Sequence, residues 1–426
     1  MFLNKLPKDW DIATDARPEI VTSMFIGYNV IPTGIDHGTV TVMMNNEPYE
    51  ITTFRIDGDY SDGRRPDNVD YTTDVKHDLE RRDFTVNAMA YDPIDDVLIT
   101  VSDSMNHLNN KLIKCVGDPK KRFEEDALRM IRACRFAATL GFDLDESVID
   151  AITSNAKKIK NVSMERIRDE IMGMMSADKP SIAIEYMRVT GLLEHIMPEL
   201  AEGIGMEQPA KYHRHTVWYH NLYACDNIPK DRPLLRWIAL NHDVGKPRCR
   251  VWSVKQQRYK YIDHEKVGSE LIETIMTRMK FAKDEIRKAI PLIRWHMAPL
   301  HFQKGRITNK GLRRMMARVG DDNLDDLITI CRADAIASVV MLNESTAHID
   351  MLIDRLSKLS HDTNGKAGLT LKDLAIDGND VMNVLGIEPC KRVGEALDYL
   401  LDEVLEDPKV NTKEKLTEIL VEKYLA

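Results

Sequence analysis

The chain has 426 residues, which is more than one ordinary hydrophobic core holds and predicts roughly two to four domains. Its 43% hydrophobic and 30% charged residues are typical of a globular protein, and a net charge of −9 argues against a surface that is basic throughout. The longest strongly apolar run, at 336–342, is too short to span a bilayer, so we expect a cytoplasmic protein without a membrane partner. Six scattered cysteines without a Cys-x-x-Cys pair predict neither a disulfide framework nor a thiolate zinc site.

Two carboxylates stand one residue apart near the N terminus, Asp9 and Asp11. On an extended strand side chains alternate with a period of two, so both carboxylates would point to the same face. Such a pair can hold hard cations between a protein and a triphosphate. The pair therefore indicates phosphoryl transfer, and the alternative is two solvated acids in a turn.

Secondary structure is predicted to change character near residue 115. Before it, period-two runs at 39–44 and 49–55, joined across Asn45 and Asn46, predict a β-hairpin. The segment 59–74 is rich in Gly, Asp, Arg and Pro, which predicts a loop between a strand and a helix. After about residue 123, long segments with a 3.6-residue period predict an extended helical body behind a small α/β head.

The segment 78–90 contains Arg81, Arg82 and Asp83, and Asn87 follows four residues after Asp83. On one helical face these groups could bind a phosphate through a guanidinium and a ribose through polar side chains. The alternative is an ordinary charged start of a helix, and this segment alone does not decide between the two.

The segment 124–136 is a strong helix former in which Asp126, Arg129 and Arg132 recur at three-residue spacing. We therefore expect these side chains to project from neighbouring turns of one helix face. An isolated Asp–Arg pair of this kind is usually a surface ion pair that contributes about 0.2–0.5 kcal/mol. With Arg135 the segment has three arginines, which is more than ion pairing with one aspartate requires.

Taken together, in this order and spacing, these segments resemble the class II nucleotidyltransferase family of tRNA CCA-adding enzymes and bacterial poly(A) polymerases. The resemblance implies an α+β fold: a small nucleotidyltransferase-type mixed β-sheet head, N-terminally truncated, followed by an all-helical neck, an HD body and a tail. The domains it implies are the head at 1–115, a neck with a nucleotide-reading helix at 116–200, an HD phosphohydrolase-like domain at 201–345 and a tRNA-binding tail at 346–426.

The truncation concerns a glycine-rich segment. Members of the family usually carry a strand and a Gly-Gly-x-x-Arg-Asp turn upstream of the Asp-x-Asp pair, and its glycines let backbone amides approach the triphosphate. Residues 1–7 correspond only to the tail of that segment. We therefore expect a start codon upstream of Met1, and the alternative is a truncated and weakened nucleotidyltransferase. In-frame upstream codons for a glycine-rich strand and turn would decide between them.

The resemblance also implies a catalytic chemistry. Asp9 and Asp11 would hold two Mg²⁺ ions that activate the 3′-hydroxyl of an RNA and neutralise the triphosphate, so that in-line attack on the α-phosphorus expels pyrophosphate. Glu50, on a neighbouring strand, would be the third carboxylate, acting as a base or a further metal ligand.

The nucleotide would be bound by the two later segments. Arg82 would contact the triphosphate, Asp83 and Asn87 would lie near the ribose, and Arg132 and Arg135 would support the phosphates or the helix geometry.

The remaining pair, Asp126 and Arg129, would read the base of CTP or ATP in place of a nucleic-acid template. A carboxylate accepts from the exocyclic amine of C or A, while UTP and GTP offer a carbonyl there. Unpaired buried polar groups can cost on the order of 10⁴ in selectivity, which would exclude the other nucleotides.

A second set of residues resembles an HD-type phosphohydrolase. His220, His242-Asp243 and Asp334 follow the family order, and His242-Asp243 would close a helix at 234–241. His264 and His296 are possible further ligands, and His213 also lies at a family-like spacing. Imidazole and carboxylate ligands suit a second divalent transition metal, of the Mn²⁺ or Ni²⁺ type, which would activate water against a phosphoester. The alternative is a set of ordinary core histidines.

The C-terminal third is less explicit. Gly378, Gly386 and Gly394 are expected to precede helices, where backbone amides can receive phosphates. The resemblance assigns this tail to tRNA binding, whereas periodicity alone would predict another small helical bundle.

The expected function is a template-independent CTP/ATP:tRNA nucleotidyltransferase that adds or repairs the 3′-terminal CCA of tRNA, with an HD-domain phosphohydrolase activity on phosphate or 2′,3′-cyclic phosphate ends. Its partners would be the tRNA acceptor end, CTP and ATP, without DNA. One alternative is a poly(A) polymerase or a CC- or A-adding enzyme, and another is an HD phosphohydrolase with a non-catalytic RNA-binding head.

Overall fold

The computed structural model describes residues 10–32, 34–58, 60, 63, 66–210, 213–338, 346–361 and 369–425. The chain forms two compact units that divide between Ile196 and Met197. Within the described residues, no helix is both long enough and apolar enough to cross a bilayer. Small sheets lie mainly in the first unit and helices dominate the second, as the predicted α+β fold requires.

The first unit begins with a four-stranded mixed sheet. Its strands are β1 (Ile12–Thr14), β2 (Asn29–Ile31), β3 (Thr39–Met44) and β4 (Glu47–Thr53), in the order β1-β4-β3-β2. β1 lies parallel to β4, whereas the other neighbours are antiparallel. Helix α1 (Pro18–Met24) covers one face, where its Val21 packs with Val40, Val42 and Ile51. The opposite face of β4 therefore remains available for polar side chains.

The predicted hairpin is confirmed as β3 and β4. Val40 and Val42 are fully buried and alternate with partly exposed neighbours, which is the period-two pattern of a sheet with one covered face. At the turn, Asn45 and Asn46 have φ values of 53° and 67°. Asparagine tolerates this left-handed conformation, and two such residues in a row match the twist of the flanking strands.

Among its described residues, the first unit also contains three two-stranded pairs and eight further α-helices. The pairs are β5 (Arg55–Asp57) with β6 (Val69–Tyr71), β7 (Met89–Asp92) with β8 (Val97–Thr100), and β9 (Leu112–Ile113) with β10 (Asp143–Leu144). The helices are α2 (Val75–Glu80), α3 (Ser104–Asn109), α4 (Pro119–Glu125), α5 (Leu128–Leu140), α6 (Glu146–Asn155), α7 (Met164–Met175), α8 (Pro180–Val189) and α9 (Leu193–Ile196). α5 packs on α7 and α8, and Ile131, Ile171 and Ile184 are fully buried there.

The prediction of one continuous helix over 124–136 is wrong. Helix α4 ends at Glu125 and α5 begins at Leu128. Between them the backbone of Asp126 is extended, with φ −146° and ψ 108°, and its Oδ1 accepts a hydrogen bond of 3.0 Å from the Leu128 N–H. A short carboxylate side chain competes in this way with the helical backbone and satisfies an N–H group at the start of the next helix. Asp126 therefore stands at a break between two helices.

The second unit contains twelve helices within the described residues. They are α10 (Pro198–Ala201), α11 (Val217–Asp226), α12 (Pro233–Leu240), α13 (His264–Arg278), α14 (Lys283–Trp295), α15 (Ala298–Gln303), α16 (Asn309–Val319), α17 (Leu324–Ser338), α18 (Ala347–His361), α19 (Gly378–Leu385), α20 (Lys391–Glu406) and α21 (Lys413–Tyr424). The predicted helix before His242 is confirmed as α12. One antiparallel hairpin, β11 (Arg250–Ser253) with β12 (Arg258–Tyr261), was not expected in a helical body.

The C-terminal helices form their own small core, in which Val381, Ala396, Leu400 and Leu416 are fully buried. The expectation that three glycines precede helices holds only for the first of them. Gly378 begins α19, capped by Asp377, whereas Gly386 ends that helix with a φ of 64°. Gly394 lies inside α20. Only one of the three positions is therefore a helix start.

Candidate functional site

The predicted carboxylates of the head lie at one end of a parallel strand pair. Asp11 directly precedes β1, and Glu50 directly precedes Ile51 on β4, where Ile12 pairs with Ile51. Both Asp11 and Glu50 are exposed. Asp9 lies outside the described residues. Two solvent-facing carboxylates on adjacent strands suit a hard divalent cation, which binds oxygen ligands and keeps several waters.

Asp83 joins the predicted nucleotide-binding segment to α5. Its Oδ1 accepts from the Phe84 N–H at 2.8 Å and from Asn87 Nδ2 at 3.3 Å, and its Oδ2 accepts from Arg132 Nε at 2.8 Å. Arg82 donates through Nη1 to the backbone oxygen of Asn87 at 3.2 Å. These four side chains are therefore brought together, but not on one helix face as expected. Helix α2 ends at Glu80, and the chain runs through a turn before a short 3₁₀ segment at Thr85–Asn87.

Asp126 and Arg129 are held by separate partners rather than by each other. Asp126 Oδ2 accepts from Arg166 Nη2 at 2.7 Å. Arg129 pairs with Glu125 and donates to the backbone oxygen of Arg122 at 3.2 Å. A carboxylate oxygen has two lone pairs and a guanidinium has five donors, so these contacts fix both groups without exhausting their hydrogen-bonding capacity.

Two residues that position the site were not predicted, Glu170 and Arg166 on α7. Glu170 accepts from Arg135 Nε at 2.6 Å and lies 3.4 Å from Arg132 Nη1. Burial disfavours the charge of Arg132, but Asp83 and Glu170 raise its pKa above the usual value. Arg166 and Glu170 stand four residues apart, a spacing typical of an ion pair within one helix. Arg166 instead contacts Asp126, and Glu170 contacts Arg132 and Arg135 of α5, which only tertiary packing reveals.

The second candidate site gathers four imidazoles and two carboxylates in the second unit. They come from α11, the turn after α12, the start of α13, the end of α14 and α17: His220, His242, Asp243, His264, His296 and Asp334. All except Asp334 are at most 5% exposed. Every predicted HD ligand therefore reaches one place, including the two that were only possible ligands.

Backbone carbonyls orient three of the four imidazoles. Nδ1 lies 2.7 Å from Ala239 O for His242, 2.9 Å from Tyr261 O for His264 and 2.7 Å from Ile293 O for His296. A carbonyl only accepts, so each Nδ1 carries a proton and each Nε2 is directed to the centre of the cluster. Metal-binding histidines are oriented in this way, and the arrangement thus fits a bound cation.

Asp243 divides the cluster into two overlapping ligand sets. Its Oδ2 lies 3.3 Å from Nε2 of both His220 and His242, whereas its Oδ1 lies 3.2 Å from Nε2 of His264 and 3.7 Å from that of His296. Asp334 Oδ1 completes the first set, 3.1 Å from His220 Nε2. Two groups close enough to hold a metal ion result, one with Asp334 and one with His296, and they share His242. Asp243 would hold a cation through either of its two oxygens.

Lys246 and His213 border this cluster. Lys246 is buried, with Nζ 2.5 Å from Asp243 Oδ2 and 2.7 Å from Gln208 Oε1. His213 was noted from its spacing, and its Nδ1 lies 3.3 Å from the Ser338 hydroxyl. Lys246 was not predicted as a site residue, although it lies three residues after Asp243 in the sequence.

The electrostatics of the cluster favour cation binding. Burial lowers the pKa of His296 to about 3, so this imidazole is neutral at pH 7. Burial also opposes a charge on His242, but the facing carboxylates of Asp243 and Asp334 raise its pKa to about 10, so this imidazole must release a proton to bind a metal ion. Although burial disfavours their charged forms, neighbouring cations and hydrogen bonds hold the pKa of both carboxyls well below the usual range. The two carboxylates therefore stay ionised, as a divalent ion requires.

Four family models together match most of the chain. A poly(A) polymerase head domain matches residues 1–114, and an RNA-binding model of the same polymerases matches 141–204. An HD domain matches 188–338, and tRNA nucleotidyltransferase domain 2 matches 266–420. Each model matches part of the chain, and together they support its resemblance to the poly(A) polymerases and tRNA nucleotidyltransferases. The residues that the HD model matches include all six residues of the histidine cluster.

Several relatives in this family are CCA-adding enzymes. That of Pediococcus pentosaceus is 42% identical over 252 residues, which is 58% of this chain and 63% of the relative. That of Lactobacillus helveticus is 43% identical over 47% of this chain and 49% of the relative. That of Levilactobacillus brevis is 28% identical over 97% of this chain and 89% of the relative. The alignments to the first two thus span about half to three fifths of each relative.

Solved structures of the family share the fold. A Bacillus stearothermophilus CCA-adding enzyme in complex with CTP matches with a TM-score of 0.67 at 25% identity, over 99% of this chain and 90% of that one. A Thermotoga maritima CCA-adding enzyme complexed with tRNA matches with a TM-score of 0.53 at 17% identity, over 98% and 87%, which shows the fold alone. The predicted family and fold class are confirmed. The predicted domain boundaries and residue roles remain predictions.

Proposed function

We propose that the chain is a template-independent CTP/ATP:tRNA nucleotidyltransferase that adds or repairs the 3′-terminal CCA of tRNA. Its relatives named above are CCA-adding enzymes, and one structure of the family is a complex with CTP. The observation that carries the proposal is the register of β1 and β4, which supports a shared site for the carboxylates of Asp11 and Glu50. Because tRNA is the substrate, the proposed location is the cytoplasm.

Each of the head residues would have its own role in nucleotide transfer. Asp11 and Glu50, with Asp9, would hold Mg²⁺, which when bound neutralises the triphosphate and lowers the pKa of the attacking 3′-hydroxyl. Arg82 would bind the triphosphate, because its guanidinium lies next to Asn87 and can donate to phosphate oxygens in pairs. Asp83 and Asn87 would bind the ribose, and Arg132 would keep Asp83 in place. Catalysis would then consist mainly of positioning and charge stabilisation.

Base selection would fall to Asp126 and Arg129. The extended backbone at Asp126 turns its carboxylate towards Arg166 and leaves one lone pair of Oδ2 for the exocyclic amine of C or A. Arg129, held by Glu125, would donate to a ring acceptor of the same base. UTP and GTP would leave these groups unpaired and would therefore be rejected.

The test is incubation of the purified chain with tRNA that lacks its CCA end, with CTP and ATP separately and together. CCA addition predicts two cytidines with CTP alone and a complete CCA end with both nucleotides. Long A tails with ATP alone would instead indicate a poly(A) polymerase, and a halt after CC or a requirement for a CC end would indicate a CC- or A-adding enzyme. If no nucleotide is added under any condition, the result would support the alternative in which the head only binds RNA.

The histidine cluster supports a second function. We infer a phosphohydrolase that removes phosphate or opens 2′,3′-cyclic phosphate at RNA ends. The supporting observation is the convergence of four Nε2 atoms on the two carboxylates, with three of the imidazoles oriented by backbone carbonyls. A divalent transition metal of the Mn²⁺ or Ni²⁺ type would be held there, and when bound it lowers the pKa of a coordinated water. Lys246 would stabilise the negative charge of the phosphoester.

This second function has its own test. An oligonucleotide that ends in a 2′,3′-cyclic phosphate is incubated with protein stripped by EDTA and then reloaded with Mn²⁺, Ni²⁺ or Mg²⁺. Hydrolysis restored by a transition metal supports the inference. Hydrolysis that survives the chelator, or none with any of the metals, would contradict it.

A further inference from the structure

The hairpin formed by β11 and β12 is unusually basic for this chain. Residues 244–262 contain six lysines and arginines and no aspartate or glutamate, in a protein whose net charge is −9. These residues are Lys246, Arg248, Arg250, Lys255, Arg258 and Lys260. Clustered positive charge interleaved with aromatic residues is the composition of a surface that meets a nucleic-acid backbone.

Aromatic side chains cover one face of this hairpin. Trp252 pairs with Tyr259 and Arg250 with Tyr261 across the two antiparallel strands, and directly opposite residues share a face. The Trp252 and Tyr259 ring centroids are 5.0 Å apart with an interplanar angle of 72°, which forms an open corner. The two residues remain 47% and 37% exposed, respectively. The Arg250 guanidinium lies over one face of the Tyr259 ring, 3.7 Å from its centroid.

This face begins at the histidine cluster. In sequence the hairpin lies between Asp243 and His264, and the backbone oxygen of Tyr261 accepts the hydrogen bond that orients His264. Lys246 Nζ lies 5.8 Å from the centre of the Tyr261 ring and 2.5 Å from Asp243 Oδ2. The aromatic residues therefore run from a wall of the candidate metal site, at Tyr261, to a solvent-exposed corner, at Trp252.

We propose that Arg250, Trp252, Tyr259 and Tyr261 form a stacking face for a single-stranded RNA end whose terminal phosphate enters the histidine cluster. The inference rests on the proposed function in taking RNA as the ligand. Every base has a flat face that can stack on Trp252 or Tyr259, so the face binds without sequence preference. Arg250 on this face supplies positive charge for an RNA backbone, whereas Arg258 and Lys260 stand opposite Ser253 and Val251 on the other face of the hairpin. A paired RNA end cannot insert its bases into the corner.

The binding test uses the full chain in EDTA, so that no metal-dependent reaction takes place, and a single-stranded hexanucleotide that carries 4-thiouridine. Irradiation is expected to yield an adduct within residues 250–261. The double variant Trp252→Ala/Tyr259→Ala is expected to lower the adduct yield about tenfold, because each stacked base contributes substantially to affinity. Trp252→Phe should retain most of the yield, since phenylalanine also stacks.

Val251→Ala is the matched control, because Val251 is 57% exposed in the same strand but on the opposite face of the hairpin. It is expected to leave the adduct yield unchanged. An equal loss with Val251→Ala, an adduct only outside the hairpin, or equal competition by a poly-glutamate peptide would overturn the stacking face.

A second measurement separates this inference from the proposed hydrolase. Bis(p-nitrophenyl) phosphate needs no stacking, whereas a hexanucleotide with a 2′,3′-cyclic phosphate does. The double variant is expected to raise KM about tenfold for the hexanucleotide and to leave the small substrate unaffected. If the unmodified chain hydrolyses neither substrate and the adduct still forms, the hydrolytic function fails and the stacking face stands. If it hydrolyses both and the double variant matches it on the hexanucleotide, the stacking face is wrong.

Discussion

The two candidate sites of this chain are built in opposite ways. In the histidine cluster, five of the six ligands are almost completely buried and three imidazoles are fixed by backbone carbonyls. In the head, Asp11 is exposed just before β1 and Glu50 is exposed within β4, and the residues predicted to bind the nucleotide are held by polar contacts around Asp83. The cluster is held in place by its own contacts, whereas the open carboxylates of the head would meet a cation together with a triphosphate.

The difference has a physical reason. A buried site with two ionised carboxylates must compensate their desolvation with fixed dipoles and cations, and its geometry is therefore rigid. Hard cations such as Mg²⁺ keep several waters and bind partly through substrate phosphates, so exposed carboxylates are sufficient. Substitutions in the buried cluster are therefore expected to affect both folding and function, and substitutions in the head mainly function.

The largest effect is expected for Asp243→Asn. The amide keeps the shape of the carboxylate but removes the charge shared by both ligand sets, so metal binding and hydrolysis should fall by on the order of 10³-fold or more. Buried Lys246 would lose its anionic partner, which should lower the free energy of unfolding by about 3–5 kcal/mol. Metal content, hydrolysis rate and denaturant unfolding provide the three readouts.

Asp231→Asn is the matched control for this substitution, because Asp231 is exposed in the turn before α12. It should leave all three quantities unchanged. Nucleotide addition should also be preserved in Asp243→Asn under conditions where the protein stays folded. Loss of addition together with hydrolysis in folded protein would reject two separate sites.

The sequence predicted these two sites unequally well. All six residues of the histidine cluster were named from the sequence because each His or Asp is a ligand type whose order along the chain is informative, and the helix before His242 was confirmed. The division of Asp243 between two ligand sets depends on where α13 and α14 bring His264 and His296, and spacing does not encode that. The same holds for Glu170, whose partners lie 35 and 38 residues away.

The fold shows a similar limit. Periodicity predicted the β3–β4 hairpin, because one face is covered by α1 and the alternation is strict. It missed the break at Asp126, because a good helix-forming sequence surrounds a single side chain that caps the next helix. It also missed the β11–β12 hairpin, whose two short strands are mostly exposed and carry charged residues between the aromatic ones.

The next largest effect is expected for Asp11→Asn in the head. Loss of one metal-binding carboxylate should reduce nucleotide addition by about 10²-fold, equivalent to about 3 kcal/mol of transition-state stabilisation. The unfolding free energy should change little, since Asp11 is exposed. Single-turnover addition of CTP to tRNA without its CCA end measures the effect. Asp15→Asn, four residues further on and also exposed, is the control, and an equal loss there would contradict a specific role for Asp11.

A smaller effect is expected for Asp83→Asn. The substitution weakens the charge-assisted bond to Arg132 and thereby loosens Asn87, so KM should rise about tenfold for CTP and ATP alike. Because Arg132 is one third exposed, the loss of unfolding free energy should be only about 1 kcal/mol. Asp95→Asn, in the exposed turn between β7 and β8, serves as the control. An increase in KM for only one of the two nucleotides would assign Asp83 to base selection instead.

The smallest effect concerns the number of metal ions and tests how far the buried cluster is preorganised. If Asp243 bridges two cations, the Mn²⁺-loaded chain should hold about two equivalents, and His264→Ala should reduce this to about one. The remaining ion would be held by His220, His242 and Asp334, which His264 does not contact through its Nε2. Elemental analysis of the loaded protein measures the ratio, with His301→Ala on α15 as the control. One equivalent in the unmodified chain would show that the second ligand set orients Asp243 rather than binding a metal. In that case His264→Ala should lower the affinity for the single ion without changing the stoichiometry at saturation.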